Sequence, residues 1–429
     1  MVASAPLRIG VAGLGTVGAG VVKLLEDNRA LLTQRAGRRI EIAAVSARRR
    51  AADRGVDLSG FAWQDDPLAI ADDPSIDVVV ELMGGEAGPA LALVERALAN
   101  GKSVVTANKA LLAHHGSRLG QIARQRGVGL CFEASVAGGI PVIKALREGL
   151  VGNRISRISG ILNGTCNYIL STMRETGRAF DDVLADAQKL GYAEADPTLD
   201  IDGWDAAHKL AVLAGIAFGT PVDFERVYVE GIRHISPLDI EYAEELGFRI
   251  KLLGTAVRTE RGIEQRVHPT MVQATEAIAQ VDGVFNAVVI EGDHVGRVVL
   301  QGRGAGAGPT ASAVVADLVD LATGRLSPAF VEAAEGGIGP VSMSEHDGPS
   351  YVRLMVRDQP GVIADIAAEL RNERVSMEAM IQRRHHPGGA VPVVLTTHPS
   401  KEAALSRALE RIGALESVLE PPRMIRIEL

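Results

Sequence analysis

Six residues near the N-terminus limit what this chain can fold into more than any others. Gly13-Leu14-Gly15-Thr16-Val17-Gly18 follows an apolar run, Leu7 to Ala12, and opens a helical pattern through Leu25. A G-x-G-x-x-G turn alone is weak evidence. Between a strand and a helix each glycine has a purpose: a tight turn, close backbone approach to a pyrophosphate, and close packing of the helix. The helix N-terminus then offers unpaired N–H groups to an anion.

The same alternation continues. Ile40 to Val45, Ile76 to Leu82, Ser103 to Thr106 and Gly129 to Glu133 read as strands, with helical stretches between several of them. Strands alternating with helices imply βαβ units and a parallel sheet, with ligands at the carboxyl ends of the strands. The expected fold class is α/β, with a Rossmann-type dinucleotide-binding domain over residues 1–145. The second strand delivers Ser46-Ala47-Arg48-Arg49-Arg50 to the place where NAD-specific folds carry an acidic side chain. Arg48 and Arg49 suit a 2′-phosphate, which favours NADP over NAD, although an arginine run is equally at home as a solvated loop.

At 429 residues the chain needs more than one core. Residues 146–334 change to a mixed α+β pattern, with helices at Cys166 to Glu175, Phe180 to Leu190 and Asp202 to Ala217. A Gly-rich run, Gly302 to Gly308, opens a helix over 310–321. Glu335 to Pro349 reads as a linker, and 350–429 as a unit ordered strand, helix, strand, strand, helix, strand, separate from the rest and dispensable for chemistry. A net charge of −8 argues against a nucleic-acid surface. No apolar run reaches the length of a membrane span. Two cysteines, Cys131 and Cys166, give neither a disulfide framework nor a metal spacing. No signal segment opens the sequence, so cytoplasmic residence is expected.

Charge concentrates between Tyr192 and Lys209. Glu194, Asp196, Asp200, Asp202 and Asp205 precede Lys209, and Asp205 lies four residues before it on one helical face. A capped helix with an i,i+4 ion pair explains this pattern. So does an anionic pocket of Glu194, Asp200 and Asp205 for a substrate ammonium, with Lys209 donating to a carbonyl oxygen. Hydride reduction of an aldehyde needs positive charge or a proton at that oxygen. Thr106-Ala107-Asn108-Lys109 places a second lysine at the mouth of the sheet, where it either orients substrate beside a nicotinamide or lies on the surface. His208 faces another side of the helix and reads as structural.

Together these stretches resemble the homoserine dehydrogenases over nearly the whole length. The match includes Gly13 to Gly18, Thr106 to Lys109, Phe132 to Pro141, Ile161 to Tyr168, Gly191 to Asp200, Asp205 to Lys209 and Gly304 to Asp317. The resemblance implies reversible NAD(P)-dependent reduction of L-aspartate 4-semialdehyde to L-homoserine in threonine, methionine and isoleucine biosynthesis, by a homodimer or homotetramer. It makes Lys209 the proton donor or acceptor and Lys109 a ligand of substrate and cofactor, with Glu194, Asp200 and Asp205 holding the amino group or its water. Residues 146–334 become the catalytic and dimerisation domain, and the 310–321 helix brings Gly306 back toward the nicotinamide. Glu133, with the carbonyls of Val136, Gly138 and Ile140, matches the family's monovalent cation site, assigned to sodium. The tail resembles an ACT domain, implying feedback regulation, most often by threonine.

Two rival functions are compatible with parts of the pattern: another NAD(P)-dependent oxidoreductase of amino-acid metabolism, and a non-enzymatic nucleotide and amino-acid sensor. The sensor requires the lysine and carboxylate cluster to be inert. An acyl-enzyme aldehyde dehydrogenase requires a reactive cysteine, which neither Cys131 nor Cys166 provides.

Overall fold

The computed structural model describes residues 5–330, 339–383 and 388–428. Residues 335–338 of the expected linker lie outside it. In chain order the strands are β1 (Leu7–Ala12), β2 (Ile40–Ser46), β3 (Ala62–Gln64), β4 (Val78–Glu81), β5 (Ser103–Thr106), β6 (Leu130–Cys131), β7 (Ile155–Ile161), β8 (Tyr228–Val229), β9 (Phe248–Arg258), β10 (Ile263–Gln273), β11 (Phe285–Gly292), β12 (Gly296–Arg303), β13 (Asp347–Gly348), β14 (Ser350–Arg357), β15 (Met377–Ile381), β16 (Ala390–Thr397), β17 (Ser400–Lys401) and β18 (Arg423–Glu428).

The first six make a wholly parallel sheet in the order β3-β2-β1-β4-β5-β6. The chain moves outward from β1 to β2 on one side and to β4 on the other, so the carboxyl ends of β1 and β4 splay open a crevice. Val78, Val79 and Val80 are all buried, as a parallel sheet covered on both faces requires. The α/β reading holds here, with β3 a strand the sequence reading lacked and β6 keeping only Leu130–Cys131 of the expected Gly129 to Glu133.

The second sheet is mostly antiparallel, running β12-β11-β7-β9-β10, with the short β8 beside β10. Helix Trp204–Phe218 lies across it, and Leu162 and Leu210 pack where Gly254 leaves room. Helix Ala307–Thr323 starts three residues ahead of the expected Thr310, because Gly306, at φ 117°, caps it and Pro309 fits its first turn. It returns to the nucleotide sheet. Val314 and Leu318 join the core of that sheet, and helix Thr16–Asp27 comes so close that a Cβ on Gly20 would meet the Ala307 carbonyl at 2.8 Å.

The tail is a βαββαβ unit with helices Val362–Asn372 and Glu402–Gly413 and a core that includes Val352, Leu354, Ile366, Leu370, Val393, Leu405 and Ile412. Its separation from the rest is not what the sequence suggests. β18 pairs antiparallel with β14 of its own unit and parallel with β10 of the preceding one, at Thr270↔Arg426 and Met271↔Ile427. One ten-stranded sheet therefore runs through both units. Ion pairs cross the same seam: Arg266 to Glu428 at 2.9 Å, Arg353 to Asp239 at 2.7 Å and Arg426 to Glu230 at 2.8 Å. The three arginines are buried. Among the described residues no helix is long and apolar enough to cross a membrane.

Candidate active site

The crevice between β1 and β4 is a cleft of about 940 Å³ lined by Gly13, Leu14, Gly15 and Thr16, by Ser46 to Arg49, and by Leu82 to Gly85. Its glycines are dictated by space. A Cβ on Gly13, at φ 100°, would meet the Leu82 carbonyl at 2.4 Å, and one on Gly18 would meet the Gly13 carbonyl at 2.0 Å. Gly15 has nothing within 4 Å and leaves its backbone open to the cleft. Thr16, Val17 and Gly18 form the first turn of helix Thr16–Asp27, whose early N–H groups have no partner within the helix. The loop fits a pyrophosphate.

Arg48 and Arg49 line the cleft past the carboxyl end of β2, and neither has an acidic partner among the described residues. Sequence reasoning passed over Arg54. Its guanidinium donates to the carbonyls of Leu14 (3.0 Å), Ala52 (2.6 Å) and Arg49, tying the arginine loop to the Gly-rich turn. Arg50 and Arg54 both lie over the Trp63 ring. Two cations are thus occupied in holding the loop, while Arg48 and Arg49 remain available.

Past the carboxyl end of β5, where the Asn108 side chain bonds the cleft-lining Gly85, two lysines converge on one carboxylate. Lys109 begins helix Lys109–Arg126 and places Nζ 2.8 Å from Asp205 Oδ1. Lys209 reaches Asp205 Oδ2 at 2.7 Å from four residues along helix Trp204–Phe218, and also donates to the Leu162 carbonyl at 2.7 Å. Asn163 Nδ2 completes the group, donating to Asp205 Oδ2 at 2.8 Å and to Asp200 Oδ1 at 2.7 Å. Asn163 is fixed because its own Oδ1 caps helix Gly164–Thr176 through the Cys166 N–H.

Burial alone would push the Asp205 carboxyl up, but Lys209 and Lys109 override it and hold it far below the ordinary carboxylate range. The Asp205 charge raises Lys109. Lys209 moves the other way: burial disfavours its ammonium, as does the neighbouring Lys109 charge, and its affinity for a proton falls below that of an ordinary lysine. Burial and like charge at Asp205 raise Asp200. An ammonium has three N–H bonds. Lys209 uses two on Asp205 and Leu162, leaving one for a substrate oxygen.

The i,i+4 pair between Asp205 and Lys209 is real, yet it is only half of the arrangement, because Lys109 arrives from the other domain. Glu194 is exposed, and among the described residues it is held through its backbone, whose carbonyl accepts from Gln188, though its charge still reaches Lys109. Asp205 is the shared counter-ion of the lysines, so less of its charge is left for a substrate ammonium. His208 stacks on Phe224 at 4.5 Å, and burial with the nearby His114 pulls it down to about 4, in keeping with a structural role.

The loop from Val136 to Ile140 turns through Ala137 and Gly138 with positive φ and packs against the chain entering helix Ala307–Thr323. Glu133 is buried, its carboxylate accepting from the Ile143 and Lys144 N–H groups at 2.9 and 2.8 Å. Burial and the adjacent Asp317 push it up to about 7. Asp317 accepts the Glu133 N–H at 2.9 Å and lies 3.8 Å from the Lys144 ammonium, and carboxylate and carbonyl oxygens are the donor type that suits a hard cation. The Ile140 carbonyl already accepts from Val142 at 2.8 Å.

Comparison with known proteins agrees with this geometry. Family models match the NAD binding domain of homoserine dehydrogenase over residues 13–133, homoserine dehydrogenase over 141–319 and the ACT domain over 350–416. A homoserine dehydrogenase of Pseudomonas aeruginosa is 48% identical over 432 residues, covering 99% of each chain. One from Neisseria gonorrhoeae is 47% identical, again over 99% of both. The crystal structure of a homoserine dehydrogenase from Thiobacillus denitrificans superposes with a TM-score of 0.93 at 48% identity, covering 99% of this chain and 98% of that one. A nucleotide-type crevice, a two-lysine centre and full-length identity at this level lead to one conclusion: the chain belongs to the homoserine dehydrogenase family of oxidoreductases.

Proposed function

We propose that the chain interconverts L-homoserine and L-aspartate 4-semialdehyde with NADP as the preferred nucleotide, in the cytoplasmic route to threonine, methionine and isoleucine. It acts as a homodimer or homotetramer and is inhibited by threonine through its tail. The observation that carries the chemistry is the convergence of Lys109 and Lys209 on Asp205 beside the nucleotide cleft. A bound nicotinamide supplies or accepts the hydride. Lys209 holds or takes the proton at the substrate oxygen through its free N–H position, with Asp205 and the Leu162 carbonyl fixing its direction. Lys109, anchored on the same aspartate, orients the substrate, while Asp200 and Glu194 meet its ammonium. Thr106 and Gly306 border the nicotinamide end, and Gly13, Gly15, Thr16, Val17 and Gly18 take the pyrophosphate. Glu133, with the carbonyls of Val136, Gly138 and Ile140, holds a monovalent cation, sodium by preference, in a structural role. Residues 1–145, 146–334 and 350–429 divide these tasks among nucleotide binding, catalysis and sensing.

The deciding assay follows reduced-cofactor absorbance with homoserine and each nucleotide separately. Absence of reduction with both would overturn the reading and favour the sensor.

Two expected results follow from the geometry. Oxidation of homoserine needs Lys209 as the free amine, so kcat/KM should rise with pH as that lysine loses its proton, on a limb placed below the ordinary lysine value of 10.5. Reduction of the aldehyde needs the ammonium, and its rate should fall through the same limb. Lys209→Arg should flatten both profiles, since a guanidinium stays charged throughout. The second result concerns the nucleotide. Replacing Arg48 and Arg49 with Ala should raise KM for NADP by roughly ten- to a hundredfold, the scale of a charge-assisted contact, with a much smaller change for NAD. Equal changes would show that the arginines are a solvated loop.

A further inference from the structure

One fully buried carboxylate beside the site has no place in the scheme above. Glu81 ends β4 at the point where the strand order reverses, and it is 0% exposed. No cation pairs with it among the described residues. Its Oε1 accepts from the Met83 and Gly84 N–H groups at 2.7 and 3.2 Å, and its Oε2 accepts from the Thr106 hydroxyl at 2.7 Å. The Thr106 oxygen in turn accepts from the Asn108 N–H at 3.0 Å, which leaves its hydrogen for Glu81. Glu81 is thus an acceptor at every contact, the pattern a carboxylate offers.

Its partners belong to two structures with different tasks. Met83 and Gly84 sit on the loop that lines the nucleotide cleft. Thr106 and Asn108 lead into helix Lys109–Arg126, and the Asn108 side chain caps that helix at the Leu111 N–H. The same loop is tied to the same helix twice more. Asn108 Nδ2 donates to the Gly85 carbonyl at 2.7 Å, and His114 lies 3.2 Å from the Glu86 carboxylate. Gly85 and Glu86 are thus attached to the helix or its leading residue directly, and Met83 and Gly84 through Glu81 and Thr106.

We infer that Glu81 is a positioning residue, whose carboxylate registers the cofactor-side loop Met83–Glu86 against the start of the helix that presents Lys109. A nucleotide seated on the loop thereby sets the lysine for the substrate. The inference rests on the substrate role proposed for Lys109. An unpaired buried carboxylate is an expensive way to close a turn. Holding a loop and a helix start together from between two strands needs several acceptor positions on one rigid group, which a neutral side chain cannot provide.

A coupling between nucleotide and substrate binding is the readout that a merely structural carboxylate would leave alone. The reduced nucleotide and homoserine form a pair that cannot react, so calorimetric titration of homoserine into full-length protein, with and without reduced nucleotide, measures it directly. In the wild type the nucleotide should tighten homoserine binding within the usual range for coupled sites, about fivefold to a hundredfold. Glu81→Gln turns one acceptor into a donor facing Thr106 and should bring that factor close to one, with nucleotide affinity changed less than the coupling. Thr106→Val breaks the same connection from the other side and serves if the glutamine variant does not fold. The double variant should lose no more than either single one, because both cut one chain of contacts. Coupling that survives in Glu81→Gln or Thr106→Val, or is absent in the wild type, overturns the inference and leaves the Lys109 reading standing. Normal homoserine binding by Lys109→Ala overturns the Lys109 reading itself, and this inference with it.

Discussion

Lys209→Ala should lower kcat by about a hundredfold to ten-thousandfold, the usual contribution of a positioned acid or base, while the protein stays folded and still binds nucleotide. The geometry separates these effects. Removing the lysine leaves Asp205 in contact with Lys109 at 2.8 Å and with Asn163 at 2.8 Å, so the buried carboxylate is not stranded. Lys209 itself approaches the Leu162 carbonyl and Asp205 rather than the Gly-rich turn, and the nucleotide cleft has no reason to change. If the pair were only a helix staple, the same substitution would cost a little stability and spare turnover. Steady-state rates with saturating nucleotide, read beside a thermal melt and a nucleotide titration, distinguish the two. Near-normal kcat in a folded variant would reduce Lys209 to the staple.

Deleting the chain after Gly339 should cost far more stability than the sequence suggests. Read alone, the linker and the self-contained tail pattern lead one to expect an active truncated dehydrogenase that has merely lost its response to threonine. The structure points elsewhere, because removal of β18 strips the edge of β10, and Asp239 loses Arg353 and the Tyr351 hydroxyl, which donates to it at 3.2 Å. Asp239 is 1% exposed. A milder test keeps the chain intact: Arg353→Met leaves that carboxylate buried without its cation, a loss of about 3 to 5 kcal/mol for a broken buried pair. Both variants should melt well below the wild type, and the truncation should be recovered largely as aggregate. A soluble, active truncation would restore the tail as an appendage. A threonine titration of the full chain would then show whether the tail senses that ligand or serves only assembly.

These contrasts show which parts of the molecule could be read from its residues. β1 falls where its apolar run predicts, and β5 likewise, because a strand buried on both faces writes its burial into consecutive residues. The Gly-rich turn and Lys109 were legible for a related reason, since each follows a strand end that a parallel sheet directs to one edge. Asp205 was read with Lys209 because helical spacing joins them; its bond to Lys109 crosses between domains and has no local signal. Asn163 carries no local signal of its role, and only the fold reveals that its amide joins two aspartates. The largest misreading came at β18. Nothing in the sequence shows that Arg426 and Glu428 find partners across the seam, Arg426 on Glu230 and Glu428 on Arg266 and Arg157, while Arg426 also pairs with Glu402 of its own unit.

The position of β18 also sets an order of events during synthesis. Its parallel partner β10 leaves the ribosome roughly 150 residues earlier, which at about 5 to 20 residues per second is a delay on the order of ten seconds. For that time the stretch of β10 from Thr270 to Val272, beyond its short pairing with β8, is an open edge, and Arg266, held by Glu264, lacks Glu428. Pairings so distant in sequence form late and slowly. The nascent chain is thus most vulnerable to misassociation while its nucleotide sheet is already complete, and its yield in a cell should depend more on chaperone supply than the stability of the finished fold would suggest.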